Sequence, residues 1–344
     1  MKNPAGPLLS NIQAARAVAA LCVVAYHLGV MPFGQIGVDV FFVISGFIMS
    51  YVAPKEGNAF FIKRVIRIVP LYWMLTIGVY AIAVVRPQWL NTTTDGVAYL
   101  FKSMFFVPYV KENGNWGPLL RNGWTLDFEM FFYVVVAAAL VVVRRQYATI
   151  AASAALIVFC LSSQAVGAGS QVADYLAQPL VIEFCLGVAC YWITRARAFD
   201  AAPRGLFGAG AIAAPLLVVA LYPEFGDPVG FQRVLQYGVP AFVLIASLLG
   251  LEKSGVSSRN AILANLGAAS YSIYLLHPYV IGVAEKILKI HPGAGTVGGW
   301  CAAAAVALVV CAAGWVCYRY VEMPIQSALR WRSSAERPMS ARAN

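Results

Sequence analysis

Charged side chains are scarce in this sequence: Asp, Glu, Lys and Arg make up 12% of its 344 residues, whereas 60% are hydrophobic. Soluble domains carry about 25% charged residues, so the chain lacks the polar surface that would cover a globule in water. A water-soluble enzyme or binding module is therefore excluded. Inside a bilayer the backbone must satisfy its own hydrogen bonds, and only helices or a closed barrel do so.

Three other patterns are missing. The apolar runs do not alternate with polar residues, which excludes barrel strands. The seven cysteines form no CxxC pair and have no histidine at metal-ligand spacing, so they indicate small buried side chains and no metal site. The net charge of +10 is spread between the apolar runs, which argues against nucleic acid as a partner.

The sequence is rich in apolar runs of about 20 residues, the length that crosses a bilayer. They predict an all-α integral membrane protein, a polytopic bundle of about ten transmembrane helices. The first run is expected to remain in the product as a signal anchor, and the shorter run 99–109 to be interfacial or re-entrant. The predicted spans are 14–32, 36–53, 69–85, 125–143, 147–163, 174–193, 206–222, 233–251, 262–283 and 296–317.

The distribution of basic residues predicts the orientation. They cluster after the even-numbered spans, whereas 164–173 has none, so both termini are expected in the cytoplasm and the protein in the inner (plasma) membrane. One loop departs from this rule, but it is long, and the rule weakens for long loops. Its residues 86–124 include Arg86, Lys102, Lys111 and Arg121.

Two ionisable residues interrupt the first run, RAVAALCVVAYHLGV: Arg16 at its start and His27 near its end. Their spacing corresponds to about 1,100° of helical rotation, so both side chains share one face, about 16 Å apart along the axis. Ionisable groups in spans are costly and tend to be functional. Arg16 is expected at the cytoplasmic edge and His27 in the outer half. The alternatives are a snorkelling arginine and a histidine hydrogen-bonded in the core.

The second run begins GQIGVDVFFVISGF and returns Asp39 to the expected depth of His27. Its carboxylate either accepts a hydrogen bond from His27, leaving the other ring nitrogen as a base, or caps the second helix. Ser45 and Gly46 follow. These small residues indicate that another helix approaches closely.

A basic segment, FFIKRVIRIVPLYW, follows on the expected cytoplasmic side. Arg64 and Arg67 are neighbours on one helical face. With Lys63 they predict a compact cationic site suited to phosphates. Ordinary positive-inside anchoring explains the charge as well, but it does not explain the spacing.

Later runs carry further polar groups. Asp127 and Glu129 are expected at the outer mouth of the fourth span, where they either meet a hydroxyl-bearing acceptor or complement the helix dipole. The stretch SYSIYLLH places Ser270, Tyr274 and His277 on one helical face at i, i+4 and i+7. His277 is expected in the outer half, as a packing residue or a functional one.

Together these motifs resemble the membrane acyltransferase-3 family over nearly the whole chain. In order they are Arg16 and His27 with ten residues between them, GVDVFFVISGF, KRVIR, WTLDFEMFFY, SYSIYLLH and YRYVEMP. The chain looks most like the branch that O-acetylates bacterial exopolysaccharide. The resemblance predicts a transmembrane acyltransferase domain over 1–324 and a short, disordered, basic cytoplasmic tail over 325–344.

The resemblance implies transfer of an acyl group, commonly acetyl, from cytoplasmic acyl-CoA to a hydroxyl of an exopolysaccharide or other surface carbohydrate. It also implies contact with polysaccharide-assembly proteins and the lipid bilayer. The family's Arg-x10-His motif falls on Arg16 and His27, and its Arg-x-x-Arg motif on Arg64 and Arg67. Its two glutamates fall on Glu129 and on Glu322, near Pro324.

These correspondences give a set of expected roles. The CoA phosphates are expected at Arg16, Arg64 and Arg67. The catalytic set is expected to be His27, Asp39 and Glu129, supported by Ser270, Tyr274, His277 and Glu322. His27 acts either as general base or as a transient acyl carrier, and Glu322 is expected to pair with the cytoplasmic arginines.

The competing hypothesis is a transporter or flippase for a lipid-linked sugar or an organic anion. The same ionisable residues would then line its pathway. No internal repeat is evident in the sequence, and the charges are placed asymmetrically, which argues against two transporter halves. A purely structural membrane protein would have no reason to keep ionisable groups in its spans.

Overall fold

The computed structural model describes residues 9–90, 96–111, 114 and 116–335. These residues form helices and loops and contain no strand; an isolated antiparallel bridge joins Val110 to Trp116. The all-helical prediction is therefore confirmed for this part of the chain.

The α-helices follow the apolar runs of the sequence. They are α1 (Ser10–His27), α2 (Ile36–Glu56), α3 (Phe60–Val85), α4 (Val97–Met104), α5 (Trp124–Val142), α6 (Ala148–Val166), α7 (Gln171–Leu176), α8 (Val181–Ile193), α9 (Arg197–Ala201), α10 (Arg204–Phe225), α11 (Gly230–Arg233), α12 (Val239–Lys253), α13 (Ala261–Ala268), α14 (Ser270–Lys286), α15 (Val297–Cys317) and α16 (Met323–Ala335).

Short turns of other helical types connect some of these elements. Two π-helical segments, Val234–Gly238 and Tyr318–Glu322, lead into α12 and α16. The 3₁₀ turns in the described residues are Gly57–Ala59, Pro87–Trp89, Arg121–Gly123 and Arg145–Tyr147.

Seven helical stretches in the described residues are long and apolar enough to cross a membrane. The first includes both α2 and α3, whereas α1 and α14 are not among the seven. Helix α14 has 17 residues, slightly fewer than the roughly 20 that a straight span needs. The stretches are Ile36–Val85, Arg121–Val142, Arg145–Val166, Gln171–Ile193, Arg204–Glu224, Gly230–Lys253 and Val297–Leu329. A multi-pass membrane protein is thus supported, while the count of about ten and the position of the termini stay predictions.

Small residues allow the closest helix contact, between α2 and α8. A Cβ atom on Gly46 would lie 2.0 Å from the carbonyl oxygen of Phe184, and one on Gly187 would lie 2.1 Å from that of Val43. Neither position tolerates a side chain without moving the helices apart. The close approach predicted at Gly46 is confirmed.

Helix α1, which carries Arg16 and His27, lies inside the bundle. It contacts α2, α12, α13, α14 and α15, and its alanines and valines at the contacts are buried. The polar side chains of α1 therefore project toward other helices.

Two predicted segments outside the spans can be compared with the structure. In the run 99–109, α4 is eight residues long, too short to cross a bilayer; it docks on α3, where Tyr72 donates to the carbonyl of Ser103 at 3.0 Å. The predicted tail 325–344 begins in helix α16, which continues to Ala335, so its first part is helical and not disordered. Residues 336–344 lie outside the described part of the chain.

Candidate active site

Two histidine rings meet at one end of the polar interior. His27 is the last residue of α1, and His277 lies in α14. The ring centroids are 4.7 Å apart and the planes are inclined by 61°. His277 is fully buried and His27 is half-buried. The sequence placed both histidines in the outer half of the membrane. The structure shows in addition that their rings are direct neighbours.

Hydrogen bonds to carbonyl oxygens define the tautomer of both rings. Nδ1 of His27 lies 2.9 Å from the carbonyl oxygen of Val23, and Nδ1 of His277 lies 2.7 Å from that of Tyr274. A carbonyl only accepts, so each Nδ1 carries the proton and each Nε2 has a free lone pair. Nε2 of His277 is buried without a hydrogen-bond partner among the described residues. Each imidazole is thus oriented with its basic nitrogen available.

Residues of α5 and the preceding turn support the histidine pair. The side-chain amide of Asn122 donates to the carbonyl of Tyr274, the same oxygen that accepts from His277. The Tyr274 hydroxyl lies 3.0 Å from that of Thr125 and donates to the carbonyl of Asn122 at 3.1 Å. Tyr274 therefore ties α14 to the start of α5, directly below His277.

Arg16 lies further along the polar interior than the histidine pair, toward the start of α1. Its Nη2 donates to the hydroxyl of Ser270 at 3.0 Å. Arg16 and His27 thus contact the same helix, α14, which confirms the predicted shared face. Arg16 is half-buried, and the charges of Arg67, Glu322 and Glu129, from three other elements, act on it. Arg16 therefore lies among charged groups of both signs and has a single direct hydrogen bond, to a neutral hydroxyl.

Glu129 faces this arginine from α5. One of its oxygens accepts from the Ser45 hydroxyl at 3.3 Å and also from the Tyr133 hydroxyl. The sequence predicted Glu129 at an outer mouth, but in the structure its carboxylate lies inside the bundle, where its charge acts on Arg16. The reason is that α5 starts inside the protein: Asn122 and Gly123 before it are already buried, and Glu129 follows Trp124 by about 7.5 Å of helix.

The two arginines of the Arg-x-x-Arg motif have different surroundings. Nη2 of Arg64 donates to both oxygens of Glu56, at 3.0 and 3.1 Å, and Lys63 also pairs with Glu56 at 3.3 Å. The guanidinium of Arg67 has no direct partner among the described residues, although its charge acts on Arg16 and Glu322. The predicted compact trio is therefore divided: Arg64 is buried and bonded to Glu56, whereas Arg67 is half-buried and its guanidinium has no direct partner among the described residues.

Glu322 closes this end of the interior. Its oxygens accept from the Ser272 hydroxyl at 2.6 Å and from the Gln326 amide at 3.0 Å. The predicted pairing with arginines takes the form of a longer-range interaction, because the charges of Arg67 and Arg16 act on Glu322 without a direct ion pair. Its carboxylate therefore balances two cations while its lone pairs are held by neutral donors.

Asp39 has a different role from the one predicted. Both its oxygens accept from Arg233, at 2.9 and 2.8 Å, and it does not contact His27, whose Nδ1 is bonded to Val23. Helix geometry gives the reason. Gly37 faces α1, where an added Cβ would lie 2.2 Å from the carbonyl of Ala19, and Asp39, about 200° further round α2, points away. It does not cap α2 either.

Sequence reasoning missed the partners of Asp39. Arg233 also donates to Gln35 at 3.0 Å, and Gln35 in turn donates to Asp227 at 2.6 Å. Glu183 is fully buried beside this pair, and neither of its oxygens has a hydrogen-bond partner among the described residues. Glu183 did leave a signal, an acid in the middle of a predicted span.

Along the interior, these groups form a polar track with two different ends. One end has the oriented histidine pair, and the other has Arg67 and Glu322, with Arg16 and Glu129 between them. A lone pair on a fixed imidazole suits proton abstraction, and unpaired guanidinium groups suit phosphates. This combination is the one that a membrane-embedded transferase requires.

The family assignment agrees. The model of the acyltransferase-3 family, described as an acyltransferase domain, matches residues 9–319, and the chain belongs to this family. It is therefore an acyltransferase, which accounts for the ionisable residues in its spans without the transporter hypothesis.

Several relatives are similar over most of the chain. Exopolysaccharide production protein ExoZ of Rhizobium meliloti (strain 1021) is 31% identical over 74% of this chain and 78% of its own. Acyltransferase MdmB of Streptomyces mycarofaciens is 26% identical over 93% of this chain and 92% of its own. Putative peptidoglycan O-acetyltransferase YrhL of Bacillus subtilis (strain 168) is 26% identical over 93% of this chain, which spans 55% of that protein. No solved structure matches the chain.

Proposed function

We propose that this protein transfers an acyl group, acetyl in the simplest case, from cytoplasmic acyl-CoA to a hydroxyl of an exopolysaccharide or another cell-surface carbohydrate. Its place would be the inner membrane, with the Arg67 end of the polar track on the cytoplasmic side. The single observation that carries the proposal is the track itself, which joins unused arginine donors at one end to a fixed basic nitrogen at the other.

The donor would enter at the Arg67 end. Arg67 has unused donors and Arg16 has one hydrogen bond to a neutral hydroxyl, so both can bind the phosphates of CoA without breaking an ion pair. Arg64 is already held by Glu56 and would serve mainly to position α3. The pantetheine arm would then follow the track and bring the thioester to His27.

His27 would supply the base. Its Nε2 takes the proton of the acceptor hydroxyl, the alkoxide oxygen attacks the thioester carbonyl, and the C–S bond breaks. The departing thiolate of CoA then takes the proton back from the imidazolium. The bond from Nδ1 to Val23 keeps Nε2 directed at the reacting atoms throughout.

The class of acceptor is taken from the relatives. ExoZ is named for exopolysaccharide production, and YrhL is named as a putative O-acetyltransferase of peptidoglycan. Both names point to polymeric carbohydrate of the cell envelope. The higher identity to ExoZ, 31% against 26% for YrhL, favours exopolysaccharide as the acceptor.

The proposal is tested with purified protein in lipid nanodiscs, radiolabelled acetyl-CoA, and envelope polysaccharide freed of its acyl groups by mild base. Wild type should label the polysaccharide, and His27→Ala should lower the rate by about 10²- to 10⁴-fold, the usual contribution of a general base. His291→Ala is the matched control, because His291 lies exposed in a loop, and it should keep the wild-type rate.

Two results would contradict the proposal. If His27→Ala transfers label as fast as wild type, His27 is not the base. If acid-quenched wild-type protein carries label on His27, the acyl group passes through the histidine and the direct attack is wrong.

A further inference from the structure

The histidine end of the track carries two cations that the proposed function does not use. Lys111 and Arg121 belong to the segment 86–124, whose basic residues depart from the charge pattern of the other loops. Helix α3 runs from Arg64 and Arg67 at one end to Arg86 at the other. The segment after α3 is therefore at the end opposite the proposed phosphate site, so these cations need a different explanation.

Lys111 is a buried lysine that has no counter-ion among the residues that the structure describes. Only 5% of the residue is exposed, and its ammonium group makes no hydrogen bond or ion pair within the described part of the chain. Burial and the nearby charge of Arg121 lower the pKa of Lys111. Its backbone is fixed by a turn, because the Lys111 carbonyl accepts from Gly114 at 2.9 Å and Val110 is bridged to Trp116.

Arg121 begins the turn that supports the histidine pair. The next residue, Asn122, donates to the carbonyl of Tyr274, which also accepts from His277. The charge of Arg121 acts on the rings of both His27 and His277 as well as on Lys111. Its own side chain is exposed and has no ion-pair partner in the described residues. Arg121 thus lies close enough to both imidazole rings and to Lys111 for its charge to act on all three.

This arrangement is costly unless something compensates it. Two like charges repel, and burying an ammonium group without a counter-charge is unfavourable. Asp127, at the start of α5, is buried and pairs with neither cation. A lysine that serves as a headgroup anchor extends its ammonium group into the interface, whereas Lys111 is almost completely enclosed.

We propose that Lys111 and Arg121 together bind an anionic group, a carboxylate or a phosphate, on the acceptor saccharide and thereby hold the neighbouring hydroxyl at His27. The inference rests on the proposed function of this site and names the class of its second substrate. The acceptor is an acidic saccharide, and the two cations select it over a neutral one of the same shape.

The kinetic test compares one acceptor in two forms: an oligosaccharide that contains glucuronic acid, and the same oligosaccharide with its carboxyl reduced to an alcohol. The protein is held in nanodiscs of zwitterionic lipid. Wild type should use the acidic form with a KM about tenfold lower or more, and Lys111→Gln and Arg121→Gln should each remove most of this difference. The control Arg86→Gln changes an exposed cation at the same end and should preserve the preference.

Three outcomes would overturn the inference. Equal KM values for the two forms in wild type would do so, as would an equal loss with both forms in the variants. The third is a preference that disappears when anionic lipid is added, since the cations would then face headgroups.

Direct binding separates this inference from the proposed function. Titration of the acidic oligosaccharide onto the protein without acetyl-CoA should give a dissociation constant that rises about tenfold in Lys111→Gln and in Arg121→Gln. If no acceptor is acetylated, the proposed function fails, yet this titration still decides whether the two cations bind an acidic saccharide. Absence of binding by wild type would overturn the inference.

Discussion

Arg16 and Arg233 are both arginines inside the bundle, but their surroundings are opposite. Arg233 is bonded through two of its nitrogens to Asp39 and through the third to Gln35. Arg16 has one hydrogen bond, to a neutral serine, and its acids act from a greater distance. The first arginine has its charge and donors satisfied by the protein itself, whereas the second keeps both for a ligand.

The difference shows how to distinguish structural from functional charge in a membrane bundle. A closed ion pair fastens helices, here α2 to α11, and has nothing left to offer a substrate. A charge without a direct partner is maintained at a cost in stability, and function is the usual compensation. On this criterion Arg16, Arg67 and Lys111 belong to one group, and Arg233 and Arg64 belong to the other.

The largest effect is expected from breaking the closed pair. Asp39→Ala leaves the Arg233 guanidinium buried and uncompensated, which should lower the free energy of unfolding by about 3–5 kcal/mol. Thermal unfolding in detergent measures this loss. Acetyl transfer per folded molecule should stay near wild type, because Asp39 does not touch the histidine pair.

The control for this experiment removes both charges. In Asp39→Ala with Arg233→Met no charge is left alone, and most of the lost stability should return. An unstable double variant would mean that packing, and not the ion pair, fastens α2 to α11.

A smaller effect, on function, is expected from the open arginines. Arg16→Ala and Arg67→Ala should each raise the KM for acetyl-CoA by about tenfold, the loss of one charge-assisted hydrogen bond, and should shift the unfolding temperature little. Arg64→Ala should affect KM less, because its guanidinium is held by Glu56. If Arg64→Ala has the larger effect on KM, the phosphates bind outside the polar track.

Helical periodicity explains which part of this site the sequence could predict. The same-face pairs, Arg16 with His27 and Ser270 with His277, depend only on spacing within one helix, and the structure has both on the α1–α14 contact. The partner of Asp39 depends on how α2 is rotated against its neighbours. That rotation is set by Gly37 and Gly46, whose contacts lie in distant parts of the sequence.

The position of a residue along its helix relative to the bundle is harder to predict than the face of the helix on which it lies. The outer position expected for Glu129 assumed that its helix begins at the membrane surface, but α5 follows a turn that is itself buried. Sequence hydropathy gives the length of an apolar run and not the depth at which its helix starts. Hydropathy also identifies α1 and α14 less clearly as spans. Both helices include polar residues of the site, so their sequences are less apolar.

The smallest effect on stability is expected from a substitution of Glu183. It tests whether Arg233 is fully satisfied by Asp39 alone. Glu183 and Asp39 are neighbouring acids that share one arginine, and Asp39 occupies it through both oxygens. Close carboxylates cannot both ionise at low cost, and Asp39 already binds Arg233 through both oxygens, so we expect Glu183 to be the neutral acid of the two. Glu183→Gln keeps the shape and a donor, and should change the free energy of unfolding by less than about 1 kcal/mol, far less than Asp39→Asn. Equal losses in the two variants, measured by thermal unfolding, would mean that Glu183 is ionised and that Arg233 serves two acids.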